Sequence, residues 1–402
     1  MCFGCGLRAA GTRNEYEATL GLGYPQIKKY ERTQLGDSVD KASMKILKET
    51  FQSAEDKNVI ASPLGALTLL SLYSAGVEGQ GREEIMQLLG STDYKKLEQS
   101  YSNLTERFSS MDPSYLVLAN KMYVSDKYVL NDQFSNTARE SYKSEVEQVD
   151  FTQKQTTADS INKWADEKTK GHIKTPVDDQ SIDENAAVAL FNVIFFQGHW
   201  HVPFNAKETE EKDFFVNPAE TVKKPMMKLE RSMFYYEDAK IGAKMVELPY
   251  KEAGFRMVVV LPDKKDGLPE VVEKLAENGI LEDVFALRPA SREVAFEMPK
   301  FEIKSSLNLN DILEKVGVSR IFSEGALGVV CDQPVKVSKA SQEAFVKVDE
   351  EGATAGAFTG LILVPMSTDY VPPPPLEFKV DHPFMFVILH EDIVLFTGTY
   401  TH

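Results

Sequence analysis

The segment 350–375 limits what this chain can fold into more than any other stretch. It opens with two glutamates and Gly352, continues through small side chains and an apolar run, and ends in four consecutive prolines. The segment has too many small residues for a core strand and too many apolar ones for an ordinary solvated linker. We interpret it as a segment with two states, an exposed loop and an inserted β-strand.

In an extended strand, alternate side chains of this segment would share a face. One face would hold only small side chains: Ala353, Ala355, Ala357 and Thr359. The other face would be mixed: Thr354, Gly356 and Phe358. A strand that slides between two existing strands needs small residues on its core face, because a close-packed interior resists added volume. A flexible linker rich in Gly and Ala is the alternative interpretation.

Composition and motifs argue against several classes of function. The 402 residues carry a net charge of -16, whereas phosphate binding needs clustered Lys and Arg, so no nucleic-acid partner is expected. No apolar stretch has the length of a membrane span, so no membrane partner is expected either. The Gly-x-Ser-x-Gly, His-Glu-x-x-His and phosphate-loop patterns are missing. We therefore expect no catalytic residues, no cofactor and no enzymatic activity.

The cysteines and the start of the chain bear on its compartment. Cys2, Cys5 and Cys331 give no disulfide framework. Residues 1–36 are predicted to be an irregular extension without the apolar core of a signal peptide, which by itself indicates a cytosolic protein unless the true start lies upstream. Asn103 lies in a glycosylation sequon, which matters only if the chain is secreted.

Two histidines, His199 and His201, are the candidates for a metal site. They would share one face of an extended segment. No carboxylate or thiol close to them in the sequence completes a tetrahedral ligand set, so we predict no metal site.

The spacing of apolar residues predicts the class of fold. An amphipathic helix is predicted over 38–53, and Ser62 followed by Pro63 begins a second helix that runs to Tyr73. Further helices are predicted at 82–89, 132–144, 156–170, 268–276 and 306–316. Strands are predicted at 115–124, 186–196, 232–238, 243–249, 254–262, 293–303, 384–389 and 393–400. Helices precede strands instead of alternating with them, so the class is α+β with mixed or antiparallel sheets.

Taken together, motifs spread over residues 38–400 resemble the serpin family of serine protease inhibitors. They are residues 58–63, Ala119 with Asn120, Ile161 with Asn162, Trp164, Thr169 and Ile173, Asn192 with Phe196, Gly198 and Trp200, and the segments 248–250, 261–262, 299–301, 348–352, 381–384 and 396–398. The resemblance implies one α+β domain over 37–402, with helices packed on three β-sheets and an exposed reactive-centre loop at 350–377. It also implies a monomeric extracellular glycoprotein without cofactors, with the cytoplasm as the alternative.

The function implied by the resemblance is suicide inhibition of an endopeptidase. The protease attacks the loop and forms a covalent acyl complex. Insertion of the cleaved loop into the main sheet then distorts the protease before water releases it. Family spacing from Glu350 places the reactive bond between Met366 and Ser367, in a Val-Pro-Met-Ser sequence that resembles the loop of antitrypsin. An unbranched apolar residue at the cut favours a serine protease of elastase or chymotrypsin type.

Two alternatives stay open from the sequence. The segment after Ser367 is longer than that of antitrypsin, so the register of the exposed loop is open. A cut after Leu363 would suit a papain-like cysteine protease. The second alternative is a serpin-fold binding or storage protein that never traps a protease. Small residues on the inserting face favour inhibition over this alternative.

The resemblance also assigns three groups of site residues. The hinge of the loop comprises Glu350, Glu351, Gly352, Ala353, Thr354, Ala355, Gly356, Ala357, Phe358 and Thr359. The shutter, a polar cluster beneath the main sheet, comprises Ser62, Gly65, Asn192 and Gln342. The family usually has Ser where Gly65 stands and His where Gln342 stands, so sheet opening is expected to differ in rate. The breach, at the end of the sheet beside the hinge, contains Trp200.

Overall fold

A computed structural model describes residues 30–323, 330–352 and 373–402 of the chain. The predicted hinge residues 353–359 and the predicted bond between Met366 and Ser367 lie outside the described residues. The account below concerns the unit Arg32–His402.

The helices begin at polar side chains that accept hydrogen bonds from free backbone N–H groups. Thr33 accepts from the backbone of Gly36, and Asp93 accepts from the backbone of Lys96. Ser62 caps the next helix, with Pro63 in its first turn, as the sequence predicted. In the described residues the helices are α1 Gln34–Ser53, α2 Pro63–Ala75, α3 Gln80–Leu88, α4 Tyr94–Ser109, α5 Asp132–Tyr142, α6 Lys154–Lys168, α7 Leu268–Asn278, α8 Leu281–Ala286, α9 Leu309–Lys315 and α10 Arg320–Ser323.

The strands of the described residues form three sheets. They are β1 Val59–Ala61, β2 Leu116–Ser125, β3 Glu145–Val149, β4 Val188–Phe196, β5 Glu210–Asn217, β6 Glu220–Arg231, β7 Phe234–Asp238, β8 Ala243–Pro249, β9 Phe255–Pro262, β10 Arg288–Pro289, β11 Val294–Pro299, β12 Phe301–Asn308, β13 Val337–Val348, β14 Leu376–Lys379, β15 Phe384–His390 and β16 Ile393–Tyr400. The sheets have seven strands (β1-β16-β15-β9-β8-β7-β10), four strands (β14-β11-β6-β5) and five strands (β12-β13-β4-β2-β3). The predicted α+β class with three sheets in one domain is confirmed.

The five-stranded sheet positions the candidate site. β4 pairs in parallel with β13 and antiparallel with β2. We call the border between β4 and β13, from the pair Val188–Val337 to the pair Phe195–Phe345, the seam. On one face of the sheet, Phe191 and Val193 pack into an apolar cluster with α6, which contributes Ile161 and Trp164. We call this the outer face, and the opposite face, which meets the start of α2, the core face.

The structure corrects two predicted elements. The predicted strand 293–303 is two strands, β11 and β12, which belong to different sheets. Lys300 separates them, and its backbone N–H donates to the carbonyl of Pro225. The predicted helix 306–316 is too long, because β12 runs to Asn308, which then caps α9. The sequence analysis also missed α4, α8, α10, β1, β3, β5, β6, β10, β13 and β14. Among the helices of the described residues, none has the length and apolarity needed to cross a membrane.

Candidate functional site

The described part of the predicted hinge is anchored through Glu350. Its side chain is buried and accepts a hydrogen bond from the Thr209 hydroxyl at 2.7 Å, while the Lys300 ammonium lies 2.6 Å from its other carboxylate oxygen. Burial alone would raise the pKa of Glu350, but the bonds from Lys300 and Thr209 outweigh burial and lower it below its ordinary value. We call Glu350, Lys300 and Thr209 the hinge anchor.

Gly352 is required at its position by both conformation and space. Its φ is +89°, in the left-handed region. A Cβ there would lie 2.4 Å from the carbonyl oxygen of Gly198 and 2.5 Å from the backbone nitrogen of Trp200. The backbone N–H of Trp200 donates to Glu351, and its indole N–H donates to the carbonyl of Asp349 at 2.8 Å. Trp200 therefore holds the chain at the point where it leaves β13.

His199, one of the two candidate metal ligands, pairs with a carboxylate. His199 binds Glu252 twice, through its ring Nδ1 at 3.0 Å and through its backbone N–H at 3.2 Å. In the described part of the chain, no group of three His, Cys, Asp or Glu side chains is arranged to hold a metal ion. The sequence analysis found no carboxylate near His199, because Glu252 lies 53 residues further along the chain, after β8. The pair braces the backbone against which Gly352 packs.

A second polar group lies under the middle of the seam, on the core face. Gln342 of β13 bonds to both the backbone N–H and the carbonyl of Ser62, each at 2.7 Å. Its amide N–H also donates to Asn192 of β4 at 2.8 Å. Asn192 in turn donates to Asn120 of β2 at 2.8 Å. We call Ser62, Asn120, Asn192 and Gln342 the amide cluster, and it links three strands to the start of α2.

Gly65 is shaped to this cluster. A Cβ on Gly65 would lie 2.3 Å from the side-chain oxygen of Asn192 and 2.5 Å from its nitrogen. Real Cβ atoms do not approach other atoms so closely, so Asn192 can keep its hydrogen bonds only if residue 65 is glycine. The departures from the family pattern at positions 65 and 342 are thus parts of one packing arrangement.

On the outer face, the seam carries one buried acidic group. Glu343 of β13 is only 4% exposed. Burial raises its pKa to about 7, although Ser306 of β12 and the charges of Lys304 and Lys339 partly oppose the shift. The buried position therefore favours the protonated, neutral form of Glu343, so the seam is more stable when this side chain is neutral.

The structure brings most of the described candidate residues to one sheet. At the end of the sheet where the chain leaves β13, the structure brings together Glu350, Glu351, Gly352 and Trp200. On the core face under the middle of the sheet, it brings together Ser62, Gly65, Asn192 and Gln342. Asn103 lies apart from them, exposed on α4, where its side chain accepts a hydrogen bond from Gln99. Its glycosylation stays a prediction.

Sequence reasoning missed the residues that complete these groups. They are Asn120, Thr209, Glu252 and Lys300. Asn120 carried a signal, since it lay in a quoted family motif. Lys300 carried the same signal, since it lay in the quoted segment 299–301. Nothing in the sequence pattern pointed to Thr209 or Glu252, because their partners lie more than 50 residues away along the chain.

Comparisons with known proteins agree on one family. The family model described as Serpin (serine protease inhibitor) matches residues 37–402. Antichymotrypsin-2 of Bombyx mori is 32% identical over 363 residues, which cover 90% of this chain and 96% of that protein.

Solved structures agree with the family match. The crystal structure of Serpin48, a highly specific serpin of the insect Tenebrio molitor, has a TM-score of 0.80 at 30% identity and covers 92% of this chain and 98% of its own. Human thyroxine-binding globulin, complexed with thyroxine, has a TM-score of 0.81 at 21% identity, covers 92% of this chain and 98% of its own, and shows a likeness of fold alone.

Proposed function

The chain belongs to the serpin family, and we propose that it is a suicide-substrate inhibitor that traps an endopeptidase by inserting its cleaved loop into the seam. The observation that carries this proposal is the position of the hinge. Glu350, Glu351 and Gly352 follow one residue after the end of β13. The backbone carbonyls of Glu350 and Glu351 accept hydrogen bonds from Phe204 and Trp200 in the segment that follows β4. The loop that comes after Gly352 therefore begins beside the end of the border between these two strands.

The direction of the chain supports insertion at this border. β13 and β4 run parallel. A loop that turns back at Gly352 would run antiparallel to both, and it could form a hydrogen-bonded ladder with each of them. About a dozen inserted residues would add ladder bonds of about 0.5–1.5 kcal/mol each, on the order of 10 kcal/mol in total. That is comparable to the net stability of a whole domain, about 5–15 kcal/mol.

The chemistry of trapping belongs to the protease. Its catalytic hydroxyl attacks the carbonyl carbon of Met366, the amine of Ser367 leaves with a proton, and Met366 remains bound as an ester. Hydrolysis of that ester would release a cleaved inhibitor and a free protease. Insertion has to outrun this hydrolysis, so the rate at which the seam opens decides the outcome. We propose a monomer that takes a serine protease of elastase or chymotrypsin type as its covalent partner.

The first experiment mixes the protein with an elastase, a chymotrypsin and a papain-like protease. A serine protease that is trapped should give a complex that survives denaturing electrophoresis. Mass analysis should show that the released peptide begins at Ser367. The loop-cleaved protein should also unfold at a markedly higher temperature than the intact protein. Cleavage without a complex and without this rise would instead support a binding or storage protein.

A pair of variants tests insertion itself. Ala353→Arg should turn the inhibitor into a substrate, because an unpaired charge cannot enter the sheet on its core face. Thr354→Arg is the matched control, since alternation turns the neighbouring side chain to the opposite face. Full inhibition by Ala353→Arg would overturn the insertion mechanism. An equal loss of inhibition in both variants would mean that a charge at either hinge position is harmful. The alternation of side chains would then no longer support the insertion mechanism.

A further inference from the structure

We infer that His172, Phe195 and Phe345 form a clasp on the outer face of the seam, and that this clasp limits how fast the loop inserts. The inference rests on the proposed function. It concerns side chains that the family resemblance did not single out. Its basis is the geometry of three stacked rings that come from three separate segments of the chain.

The clasp lies at the end of the seam where insertion begins. Phe195 of β4 and Phe345 of β13 are register partners, and theirs is the pair nearest the hinge. Their ring centroids are 6.4 Å apart and the ring planes differ by 17°. Beyond the hydrogen bonds that Trp200 and Phe204 make to the hinge, this pair is the first register pair of the seam that an entering strand has to separate.

His172 bridges the two phenylalanines. Its ring centroid lies 4.2 Å from that of Phe195 with an interplanar angle of 20°, and 5.7 Å from that of Phe345. It belongs to neither strand, but to the segment that follows α6. A ring stacked across two neighbouring strands resists their separation, because the strands cannot part without breaking at least one of the stacks.

The segment that carries His172 is held in place from α6. The Thr169 hydroxyl accepts a hydrogen bond from the backbone of Ile173 at 2.9 Å, and the His172 N–H donates to the Thr169 carbonyl at 3.1 Å. Ile173 is fully buried, in the apolar cluster beneath α6. The imidazole is therefore fixed over the seam by its backbone, whereas its own side chain is exposed.

Insertion would destroy the clasp permanently. Neighbouring strands lie about 4.8 Å apart, so one inserted strand would move the ring centroids of Phe195 and Phe345 from 6.4 Å to roughly 11 Å. An imidazole cannot stack on both rings over that distance. The clasp therefore stabilises the intact protein more than the inserted form, in which at most one of the stacks remains. A purely structural contact would stabilise both forms equally.

The consequence is a control on the fate of the acyl-enzyme. A stronger clasp slows the first step of insertion and gives hydrolysis more time. A weaker clasp speeds insertion, but it also lets the intact sheet open without cleavage. Because a ring pair contributes a modest amount to stability, removal of the His172 ring should speed opening roughly two- to tenfold.

The test uses three variants of the full chain: His172→Ala, which removes the ring, His172→Phe, which keeps a stacked ring, and Lys174→Ala, an exposed change in the same segment. One measurement is the rate at which a synthetic peptide with the sequence 353–366 anneals into the intact protein. The other is the unfolding temperature of the intact and the loop-cleaved forms. His172 is exposed, so the variants should fold.

We expect His172→Ala to accelerate peptide annealing about two- to tenfold and to lower the unfolding temperature of the intact form more than that of the cleaved form. His172→Phe and Lys174→Ala should behave as the unmodified protein. Equal losses in the intact and cleaved forms, or an unchanged annealing rate, would overturn the clasp. If instead the unmodified protein gains no stability on cleavage and anneals no peptide, the proposed function fails, whatever the variants do.

Discussion

The substitution Gly65→Ala tests whether the amide cluster depends on a missing side chain. Residue 65 lies in the first turn of α2, and two effects of opposite sign act on it. Alanine favours a helix over glycine by about 1 kcal/mol, which would stabilise the protein. The added Cβ would lie 2.3 Å from the side-chain oxygen of Asn192, which would destabilise it.

The steric effect should win. Forcing an extra carbon into a packed interior costs about 1–3 kcal/mol. Asn192 also makes hydrogen bonds to Gln342, Asn120 and the carbonyl of Ala119, and displacing it would break some of them at about 0.5–1.5 kcal/mol each. With two bonds lost and the helix preference subtracted, the intact protein should lose about 1–5 kcal/mol.

The assay is thermal unfolding of the intact protein at one fixed scan rate. An unfolding entropy of about 2.1 cal/mol/K per residue converts this loss into a fall of roughly 1–6 °C for the unit Arg32–His402. The double variant Gly65→Ala with Asn192→Ala makes room for the new carbon, so the two changes should cost less together than the sum of the single variants. A rise in unfolding temperature for Gly65→Ala would show that Asn192 is not held as described, and the reasoning would fail.

Three further predictions concern charge and the reactive bond. Glu350→Gln should lower the stability of the intact form by about 1.5–3 kcal/mol. The pKa of Glu350 lies below its ordinary value, so the unmodified protein should lose the same contribution as the pH of the unfolding assay falls below about 4.5. The pKa of Glu343 is raised to about 7, so the intact protein should lose stability as pH rises from about 4.5 to 7, and Glu343→Gln should raise its unfolding temperature at pH 8 more than at pH 5. Met366→Arg should transfer complex formation to trypsin; unchanged inhibition of an elastase or chymotrypsin would place the reactive bond elsewhere.

The strands that the sequence predicted correctly are those with uninterrupted apolar runs. β4, β15 and β16 are fully buried, and an uninterrupted apolar run is typical of a strand that is buried on both faces. β5 and β6 were missed because charged residues and Pro225 interrupt their alternation, and because parts of both strands face solvent. α4 had a helical signal that was overlooked, since its buried residues Leu97, Tyr101, Leu104 and Phe108 follow a helical spacing.

The candidate site divides in the same way. The resemblance named Glu350, Asn192 and Gln342, because their own identities carry the family pattern. It quoted Lys300 within a motif but could not pair it with Glu350, and it did not name Glu252, since a salt bridge depends on how distant segments meet and not on any local pattern. Gly65 looked like a defect in the sequence, and only the position of Asn192 in space gives it a reason.

The two faces of the seam explain why side chains, and not the backbone, should control its opening. When a strand enters between β4 and β13, the backbone bonds between them are lost, but each strand regains a ladder with the newcomer. Side-chain contacts across the border have no such replacement, because their partners are now two strands apart. Alternation places the Asn192–Gln342 contact on the core face and the Phe195–Phe345 contact on the outer face of the same border. Opening therefore has to break a polar contact and an aromatic contact on opposite sides of one sheet, so weakening either one should lower the barrier independently of the other.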